Sequence, residues 1–440
     1  MLKKPDACRG CPLYQDGEGG FVPDRVRGSL VIMAQNPGQN ETGGVWWSMG
    51  GRIRQGPVEP LIGASGWMVR NQLIPLADVE EEDVTYANAV RCRWRGTDKL
   101  PPLHTKVAQD AIHHCQRAHG GHLRDGQTFV ALGEYALWYL TGIRTLKGRE
   151  RGETDTTQRK SALESWRGWT LPRHSWDGPV PRPTSVWHPV APRVFPTYHP
   201  AAAFRSPALG PLIRADFAKL GRLLRGEWPA PFLRIGHEVP PPTGLVAYDT
   251  EYHYPSLELR HWSWSTGDRT GVVHGPVTAM EHPIFHNAPA DWRYLPAPPA
   301  EWDDTMYMDA ALHAGEPHDL NHLGSLYART NRWKHLSESN PEQYSGGDAL
   351  GTWDVYHALR RQLDSDAGAD RVYTDALRPL IPVIVRRRPT LLHRPRVSDA
   401  VKAMKAEQAR LKVEAQAMAG WPLNLASPPQ VAAELKAVDA

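Results

Sequence analysis

Two acidic residues near the middle of the chain, Asp249 and Glu251, have the residue types and the spacing of a metal site. They follow the apolar run at residues 245–248, which comes after three consecutive prolines and is predicted to be a strand. Because side chains alternate between the two faces of a strand, both carboxylates lie on one face. Two carboxylates on one face suggest a divalent cation. On this pair alone, a solvated strand end is an equally good interpretation.

Three residues further along the chain extend this acidic set. Asp291 follows the apolar run at residues 283–285, and this pattern predicts a strand that leads into a helix. Tyr344 and Asp348 are four residues apart at the start of another predicted helix, so they share one helix face. A phenol and four carboxylates are therefore candidates for one site.

In this order the set resembles the proofreading 3′→5′ exonuclease domain of family A DNA polymerases, across about residues 243–373. The motifs that carry the resemblance are Asp249-x-Glu251, Asn287-x-x-x-Asp291 and Tyr344-x-x-x-Asp348-Ala349. The resemblance implies a ribonuclease H-like fold with two divalent ions, Mg²⁺ or Mn²⁺, held by Asp249, Glu251, Asp291 and Asp348. It also implies that Tyr344 orients the attacking water. The alternative is an exonuclease fold that binds nucleic acid without cleaving it.

The cysteines form a second set with metal-binding character. The chain has four of them, Cys8, Cys11, Cys92 and Cys115. Cys8 and Cys11 form a Cys-x-x-Cys turn that can point two thiolates at one metal, and the other two can return from distant loops to complete four ligands. Zinc and an iron–sulfur cluster both suit four thiolates, but the irregular spacing of the second pair disfavours a zinc ribbon. Unrelated buried thiols are the alternative.

The segments between these cysteines predict an α/β fold. Runs at residues 29–34, 84–87 and 128–133 have the character of buried strands, and they alternate with helical stretches. A polar loop at residues 35–41 follows the first strand, and Asn88 follows the second. In such a sheet the functional loops lie at the carboxyl ends of the strands.

Ordered motifs in this part of the chain resemble the iron–sulfur uracil-DNA glycosylases, across roughly residues 5–225. The motifs are Cys8-x-x-Cys11-Pro-Leu, Asn36-Pro-Gly-x-x-Glu41, Gly63-Ala-Ser-Gly66, Asn88-Ala-Val-Arg-Cys92, Cys115 and Tyr198-His199-Pro200. The resemblance implies an α/β/α sandwich. It also implies a structural [4Fe–4S] cluster on Cys8, Cys11, Cys92 and Cys115.

The same resemblance implies roles in flipping and excising uracil. Asn88 would read the edge of the base, Asn36 or Glu41 would position water, and His199 would stabilise the departing base anion. A side-chain amide suits the adjacent acceptors and donor of uracil.

Two further positions in this region follow from the resemblance. Leu61 stands where an aromatic side chain usually stacks on uracil, and Arg205 follows the point where the family inserts side chains into the duplex. The loop that contains Asn36 begins Ala34-Gln35-Asn36, where iron–sulfur members usually show Gly-Glu-Ala or Gly-Glu-Gly. Two interpretations therefore stay open: a working glycosylase, and a cluster-bearing module that binds DNA or is structural.

Composition limits the class of protein. The 440 residues suffice for two or three domains, each with its own core. A net charge of +3 allows a nucleic-acid partner without requiring one, and 17 tryptophans suit base stacking as well as core packing. The N-terminus lacks an apolar signal segment, and no run approaches the roughly 18 apolar residues of a spanning helix. We therefore expect a cytoplasmic location, in the host if the chain is phage-encoded.

Composition shifts predict four segments along the chain. They are a glycosylase-like domain at 1–228, a Pro-rich linker at 229–242, an exonuclease domain at 243–375 and a helical tail at 376–440. Within the first domain, residues 143–192 are rich in Arg, Trp, Pro and Gly, and they are predicted to be a long loop region. Interleaved Arg and Trp could grip single-stranded DNA there, and a solvated loop is the alternative.

The tail is predicted to form an amphipathic helix from Ser398, as its N-cap, to Met418, ended by Gly420. Its apolar stripe is Val401, Met404, Leu411, Ala415 and Met418.

The segment that follows the helix, residues 421–430, resembles the base of the thumb in family A polymerases, and no palm or fingers follow it. This resemblance implies a separate palm-and-fingers polymerase subunit that covers the stripe, as in a split phage enzyme. Folding of the tail back onto the exonuclease domain is the alternative.

Together the two resemblances imply a two-metal 3′→5′ DNA exonuclease fused to a uracil-DNA glycosylase-like domain, acting in DNA replication or repair. The expected substrate is the 3′ end of a single strand or a uracil-containing duplex. A non-catalytic DNA-binding scaffold for a polymerase is one alternative, and glycosylase action as the main activity is another.

Overall fold

The computed structural model describes residues 2–14, 19–48, 53–94, 99–123, 126–143, 161–172, 193–227, 233–253, 256–386 and 394–419. Residues 1–385 form one compact unit and residues 386–440 form a second. The first unit contains two main β-sheets, and each carries part of the residue sets defined above.

The first sheet is mostly parallel. The strands of the N-terminal half are β1 (Leu30–Ala34), β2 (Val45–Trp47), β3 (Ile53–Gln55), β4 (Val84–Asn88), β5 (Thr128–Leu132), β6 (Leu171–Pro172) and β7 (Arg193–Thr197). The sheet has the order β4-β1-β5-β7-β6, in which only β6 is antiparallel to its neighbour. β2 and β3 form a separate antiparallel ribbon, and Leu2–Lys3 pairs with Gly19–Phe21. β1 and β4 are buried along their whole length, as expected of parallel strands covered on both faces.

Helices cover both faces of this sheet. They are α1 (Gln39–Gly43), α2 (Ala64–Met68), α3 (Lys106–His119), α4 (Glu134–Thr141), α5 (Ala162–Trp166), α6 (Ala201–Arg205) and α7 (Leu209–Leu224). Ile112 of α3 and Leu137 of α4 belong to the core on one face. Phe217 of α7 belongs to the core on the other face. The predicted α/β architecture is confirmed.

The second sheet is mixed. Its strands are β8 (Ile235–Gly236), β9 (Leu245–His253), β10 (Glu258–Ser265), β11 (Thr270–Val273), β12 (His282–Phe285) and β13 (Asp303–Asp304). The order is β8-β11-β10-β9-β12-β13. β9, β10 and β11 are antiparallel neighbours, whereas β12 and β13 run parallel to β9. Three antiparallel strands followed by two parallel ones define the predicted ribonuclease H-like fold, which is confirmed.

The helices of the second half are α8 (Ala288–Asp291), α9 (Thr305–Leu312), α10 (Leu320–Tyr327), α11 (Pro341–Ser365), α12 (Ala367–Arg371) and α13 (Arg378–Arg386). The longest, α11, begins at a proline, which suits the first helical turn, and Asn340 caps it through the Gln343 N–H. It packs against β9 and β10. This packing brings the first turns of α11 to the strand that carries Asp249 and Glu251.

The two halves of the first unit share a buried polar interface. Arg167 donates to the Asp216 carboxylate at 2.6 Å and to the Ser325 hydroxyl at 2.5 Å. Lys219 donates to the Ser325 carbonyl oxygen at 2.8 Å. The Trp169 ring meets the Trp333 ring edge-on, with 5.5 Å between centroids. Since Trp169 and Trp333 belong to different halves, the halves are packed together through their cores.

Part of the predicted loop region at residues 143–192 is regular structure. Within it, α5 and β6 form, and Ser161 caps α5 in a reciprocal capping box with Glu164. That part of the prediction is wrong because local turn-rich composition was outweighed by the buried side chains Trp166 and Trp169. Residues 144–160 and 173–192 lie outside the described residues.

The tail helix begins earlier than the sequence predicts. It is α14 (Arg394–Ala419), so Ser398 lies inside the helix and is not its cap. Pro395 fits the first turn, where its missing N–H costs nothing. Four of the five residues of the predicted stripe are exposed, with Met404 at 72% and Met418 at 83%, and Ala415 is half-buried. Gly420 and the thumb-like residues 421–430 lie outside the described residues, and no helix in the described ranges is long and apolar enough to cross a bilayer.

Candidate functional site

Three carboxylates meet at the edge between β9 and α11. Asp249 and Glu251 extend from one face of β9, and Asp348 extends from α11. One oxygen from each carboxylate lies within 4.8 Å of the others. Strand alternation explains the first two residues, and the packing of α11 on β9 brings the third. Among the described residues, these three carboxylates are the one group of at least three ligand-type side chains that are close enough to hold a metal ion.

The charges in this cluster are poorly compensated. Asp249 Oδ2 is buried and has no hydrogen-bond partner among the described residues. Burial, followed by the charges of Asp348, Asp291 and Glu251, raises the pKa of Asp249 well above its usual range. Burial and the charge of Asp348 raise the pKa of Glu251 to about 6. A divalent cation would offset this repulsion, and an all-oxygen donor set suits Mg²⁺ or Mn²⁺.

Tyr344 lies beside the cluster, one helical turn before Asp348, as the i,i+4 spacing predicts. Burial and the charge of Asp348 raise the pKa of Tyr344 to about 12, so the phenol keeps its proton at neutral pH. A neutral phenol can accept a hydrogen bond from water and donate one to a phosphate oxygen.

Two side chains in this site were missed by the sequence analysis, and both bind Asp348. The Trp333 indole N–H donates to Asp348 Oδ1 at 2.6 Å, and Lys334 forms an ion pair with the same oxygen. Burial lowers the pKa of Lys334, but the charges of Asp348, Tyr344 and Asp249 and the hydrogen bond to Asp348 together raise it above its usual value. Lys334 therefore stays charged and supplies a positive charge within the acidic cluster. No periodicity in the sequence links residues 333 and 334 to Asp348.

Asp291 does not join the three carboxylates. Its Oδ1 accepts a hydrogen bond from the Thr250 hydroxyl at 2.5 Å. Thr250 lies between Asp249 and Glu251, so its side chain points to the opposite face of β9. Burial raises the pKa of Asp291. The structure therefore places this predicted ligand next to the site with its carboxylate bonded to Thr250.

Most of the residues predicted for uracil excision line a cleft of about 570 Å³ at the carboxyl ends of the strands of the first sheet. Five predicted positions line it: Asn36, Glu41, Leu61, His199 and Arg205. The side-chain amide of Asn36 donates to the Pro37 carbonyl oxygen at 3.1 Å. The cleft therefore collects residues from the loops after β1 and β7, as expected of a parallel α/β sheet.

Glu41 has a structural role in this cleft. Its two carboxylate oxygens accept hydrogen bonds from the Gly38 and Leu61 backbone N–H groups. The first bond satisfies the backbone N–H of Gly38, the residue that precedes the first turn of α1. The second ties the loop after β1 to the loop that carries Leu61. Both oxygens are thus engaged with the backbone, which leaves Asn36 as the better placed of the two predicted water-positioning residues.

Leu61 is held in a conformation that leucine rarely adopts. Its φ is 56°, in the left-handed region. Arg70 Nε donates to its carbonyl oxygen at 2.9 Å, and Glu41 binds its N–H. A Cβ on Gly66 would lie 1.8 Å from the same carbonyl oxygen, so only glycine fits there. Local strain of this kind is found at ligand sites, where the surrounding structure enforces it.

His199 is neutral and oriented. Its Nδ1 accepts a hydrogen bond from the Ala201 N–H at 3.1 Å. Burial, aided by the charge of Arg205, lowers the pKa of His199 to about 4. With Nδ1 as acceptor, the neutral ring carries its proton on Nε2. The side chain that lines the cleft is therefore a hydrogen-bond donor at neutral pH.

Asn88 lies at the end of β4, beside Ala34 of β1 in the register. It is fully buried, and neither its Oδ1 nor its Nδ2 has a hydrogen-bond partner among the described residues. Ala34 lines the cleft, whereas Asn88 is not one of its lining residues. An unpartnered buried amide costs about 1–3 kcal/mol, so it needs an explanation.

The four cysteines lie close to one another in the first half of the chain. Cys8 and Cys11 belong to the N-terminal turn, Cys92 to the loop after β4, and Cys115 to α3. Cys115 thus comes from a helix and not from the predicted loop. All four are buried and free.

The four thiols influence one another electrostatically. Burial, followed by the charges of the other cysteines, raises the pKa of Cys8 to about 11 and that of Cys92 to about 12. No three of the sulfurs approach within 4.8 Å of one another. A single zinc ion at Zn–S distances of about 2.3 Å would need tighter spacing, whereas an iron–sulfur cube separates its thiolates more widely.

Comparison with known proteins gives matches only at the level of structure. No protein-family model and no curated protein matches the chain. A structure of NrnC from Brucella melitensis with bound Mg²⁺ is 17% identical, covers 34% of this chain and 90% of its own, and gives a TM-score of 0.27. A second structure of that NrnC is 18% identical, with coverages of 32% and 82% and a TM-score of 0.28.

RNase D from Escherichia coli, an exoribonuclease involved in structured RNA processing, is 15% identical. It covers 33% of this chain and 46% of its own, with a TM-score of 0.27. At these identities and scores, the similarities carry no conclusion about function.

Proposed function

We propose that the chain is a metal-dependent 3′→5′ exonuclease that acts on the ends of single-stranded DNA. The observation that carries this proposal is the meeting of Asp249, Glu251 and Asp348 within 4.8 Å, with Tyr344 beside them on the same helix as Asp348. The unpartnered Asp249 Oδ2 supports the binding of a cation at this point.

Each residue of the site has a part in phosphodiester hydrolysis. Asp249, Glu251 and Asp348 would hold divalent ions, which lower the pKa of the attacking water and offset the charge that develops on phosphorus. Tyr344, as a neutral phenol, orients that water by hydrogen bonding. Lys334, through its ion pair with Asp348, would place a positive charge next to the scissile phosphate. Asp291 completes the acidic set if its carboxylate rotates away from Thr250.

A degradation assay with a 5′-labelled oligonucleotide tests this proposal. With Mg²⁺ or Mn²⁺, the wild type should give a ladder that shortens from the 3′ end, and chelation should stop it. Asp249→Ala and Asp348→Ala should each lower the rate by at least a hundredfold. Asp364→Ala is the matched control, because Asp364 is an exposed carboxylate on the same helix, α11. Matched DNA and RNA substrates measure the nucleic acid preference.

Two results would contradict the proposal. If Asp249→Ala degrades the oligonucleotide as fast as the wild type, the acidic cluster is not the active site. If the wild type binds DNA and never degrades it, the chain is a non-catalytic DNA-binding module.

Excision of uracil from DNA is a second candidate function, supported by the cleft in the first half. A neutral His199 with its proton on Nε2 is suited to stabilise a departing base anion. Both polar atoms of the buried Asn88 amide lack a hydrogen-bond partner among the described residues, so this amide could bind a base. Asn36 would position the water. Incubation with a uracil-containing oligonucleotide followed by alkali should cleave the strand, and His199→Ala should not. Equal cleavage by both proteins would contradict this role.

A [4Fe–4S] cluster on Cys8, Cys11, Cys92 and Cys115 belongs to the same proposal. Four buried thiols without disulfides, spaced more widely than one zinc ion requires, support it. The anaerobically purified protein should be brown and contain iron and inorganic sulfide in equal amounts. A colourless protein with one zinc would contradict it.

A separate palm-and-fingers polymerase subunit, of the kind a phage split enzyme would use, is the proposed partner. The exposed apolar side chains on α14, such as Met404 and Met418, support a covering partner. Co-purification of a polymerase chain lost on Met404→Lys would support this partner. A monodisperse monomer with tail amides protected from exchange would contradict it.

A further inference from the structure

A second cleft, of about 560 Å³, lies on the first half beside the one described above. It is formed by the β2–β3 ribbon, helix α2 and the segment that enters β1. The backbone of Leu61 and Ile62 forms the wall between the two clefts: Leu61 lines the first and Ile62 lines the second. The Trp47 N–H donates to the Ile62 carbonyl oxygen at 2.9 Å and so fixes the ribbon to this wall.

The floor of this cleft is a network of paired charges. Arg25 and Arg70 each form ion pairs with both Glu59 and Glu81, including a contact of 2.6 Å between Arg25 and Glu81. The two arginine side chains are only 10% and 8% exposed. Two positive and two negative charges cancel in this network, so the floor is rigid and close to neutral.

Two more arginines line the cleft outside this network. Arg27 and Arg54 are exposed, and neither forms an ion pair within the part of the chain that the structure describes. The guanidinium of Arg54 lies 5.0 Å from the centre of the Trp46 ring, which orients it. These two positive charges are available to an anionic ligand.

The walls carry three half-buried tryptophans, Trp46, Trp47 and Trp67. Trp46 is fixed, because its indole N–H donates to the Pro57 carbonyl oxygen at 2.9 Å and Arg70 lies 4.9 Å from the ring centre. A Cβ on Gly56 would lie 2.8 Å from this ring, so glycine is required for the close approach. Flat aromatic surfaces next to uncompensated arginines are the combination that binds nucleobases by stacking and phosphates by charge.

We propose that this cleft binds one or two nucleotides of a single-stranded nucleic acid. The bases stack on Trp47 and Trp67, and the phosphates bind Arg27 and Arg54. Because Leu61 and Ile62 are adjacent, a strand held here places its next nucleotide at the cleft that contains Asn36 and His199. An acidic peptide would satisfy the arginines but would leave the tryptophan faces without a matching partner.

Circular single-stranded oligonucleotides test this site separately from the acidic cluster, since a circle has no 3′ end to occupy an exonuclease site. Binding of the full chain to a labelled circular DNA is followed by anisotropy over a range of salt concentrations, and circular RNA of the same sequence forms a second arm. Trp47→Ala should raise Kd about tenfold, and Trp47→Phe should restore most of the affinity. Arg54→Ala should also weaken binding and lower the slope of log K against log salt by about 0.7.

The matched control is Arg371→Ala, which removes an exposed arginine outside the cleft. It should leave both Kd and the salt slope unchanged. The proposal is overturned if Trp47→Ala and Arg54→Ala bind the circles within twofold of the wild type. It is also overturned if Trp47→Ala weakens binding of polyglutamate as much as binding of the circles, because the site would then be a general anion site. Arg54 is exposed, so the Arg54→Ala arm remains readable if a tryptophan variant folds poorly.

Discussion

The hydrogen bond from Trp333 to Asp348 allows a direct test of how the acidic site is positioned. Trp333 is 3% exposed, and a Cβ on Gly351 would lie 2.5 Å from its Cη2 atom. On another side, a Cβ on Gly324 would lie 2.8 Å from the same atom. The indole therefore has no space into which it can retreat. Gly351→Ala should push it away from Asp348.

The expected effect of Gly351→Ala on the free energy of unfolding is the sum of two opposed contributions. Forcing an extra methyl group into a packed core costs about 1–3 kcal/mol. Replacing glycine by alanine inside a helix returns about 1 kcal/mol. In the wild type the change should therefore lower the free energy of unfolding by up to about 2 kcal/mol. Trp333→Phe removes the atoms that collide, so in that background Gly351→Ala should be neutral or stabilising by about 1 kcal/mol.

Activity should follow the hydrogen bond between Trp333 and Asp348. A hydrogen bond to a charged group contributes about 1.5–3 kcal/mol, and each 1.4 kcal/mol corresponds to tenfold in rate. Trp333→Phe should therefore slow degradation by about ten- to a hundredfold, and Gly351→Ala should slow it in the wild type but not further in the Trp333→Phe protein.

Urea unfolding of the four proteins in this cycle, together with the oligonucleotide assay, measures both effects. Gly210→Ala, in the first turn of α7 with no atom within 4 Å of its added Cβ, is the control and should act alike in both backgrounds. If the effects of Gly351→Ala and Trp333→Phe on the free energy of unfolding are additive within about 0.5 kcal/mol, the indole is not packed tightly between its neighbours as described.

Three other predictions concern the first half of the chain. Asn88→Leu should raise the free energy of unfolding by about 1 kcal/mol in urea, because it removes two unpartnered buried polar atoms; a loss of stability would show that the amide is hydrogen-bonded after all. His199 has a folded pKa of about 4 against an unfolded value of about 6.5, so its contribution to stability is complete above pH 6.5 and is lost as the pH falls toward 4. Between pH 8 and pH 4 the wild type should therefore lose on the order of 2 kcal/mol more than His199→Gln, and equal losses would contradict the neutral assignment. Cys92→Ser should lower both the iron content and the thermal midpoint of the purified protein, and unchanged iron would remove Cys92 from the ligand set.

The sequence predicts the parts of the acidic site that depend on local periodicity. Asp249 and Glu251 share a face because strand side chains alternate, and Tyr344 and Asp348 share one because they are four residues apart on a helix. Lys334 and its neighbour Trp333 lie at the start of a short 3-10 helix, Lys334–Leu336, which is too short to show a repeat in the sequence. Their contacts with Asp348 arise only when this segment packs against α11.

The orientation of the Asp291 side chain is another feature that local periodicity does not predict. Its position after β12 follows from the strand and helix pattern, but its bond to Thr250 depends on the relative position of α8 and β9. Leu61 is a similar case, since its left-handed backbone results from bonds to Glu41 and Arg70 that lie 20 and 9 residues away. Contacts between distant segments, and not local propensities, decide these features.

The packing of the two halves makes the acidic site dependent on the first half of the chain. Lys219 lies 4.5 Å from the centre of the Trp169 ring, Trp169 meets Trp333 edge-on, and Trp333 donates to Asp348. Each of these contacts is buried, so a displacement at one is felt by the next. A fragment that starts at residue 243 would lose Trp169 and would expose one side of Trp333. The first half therefore contributes to holding Asp348 in place.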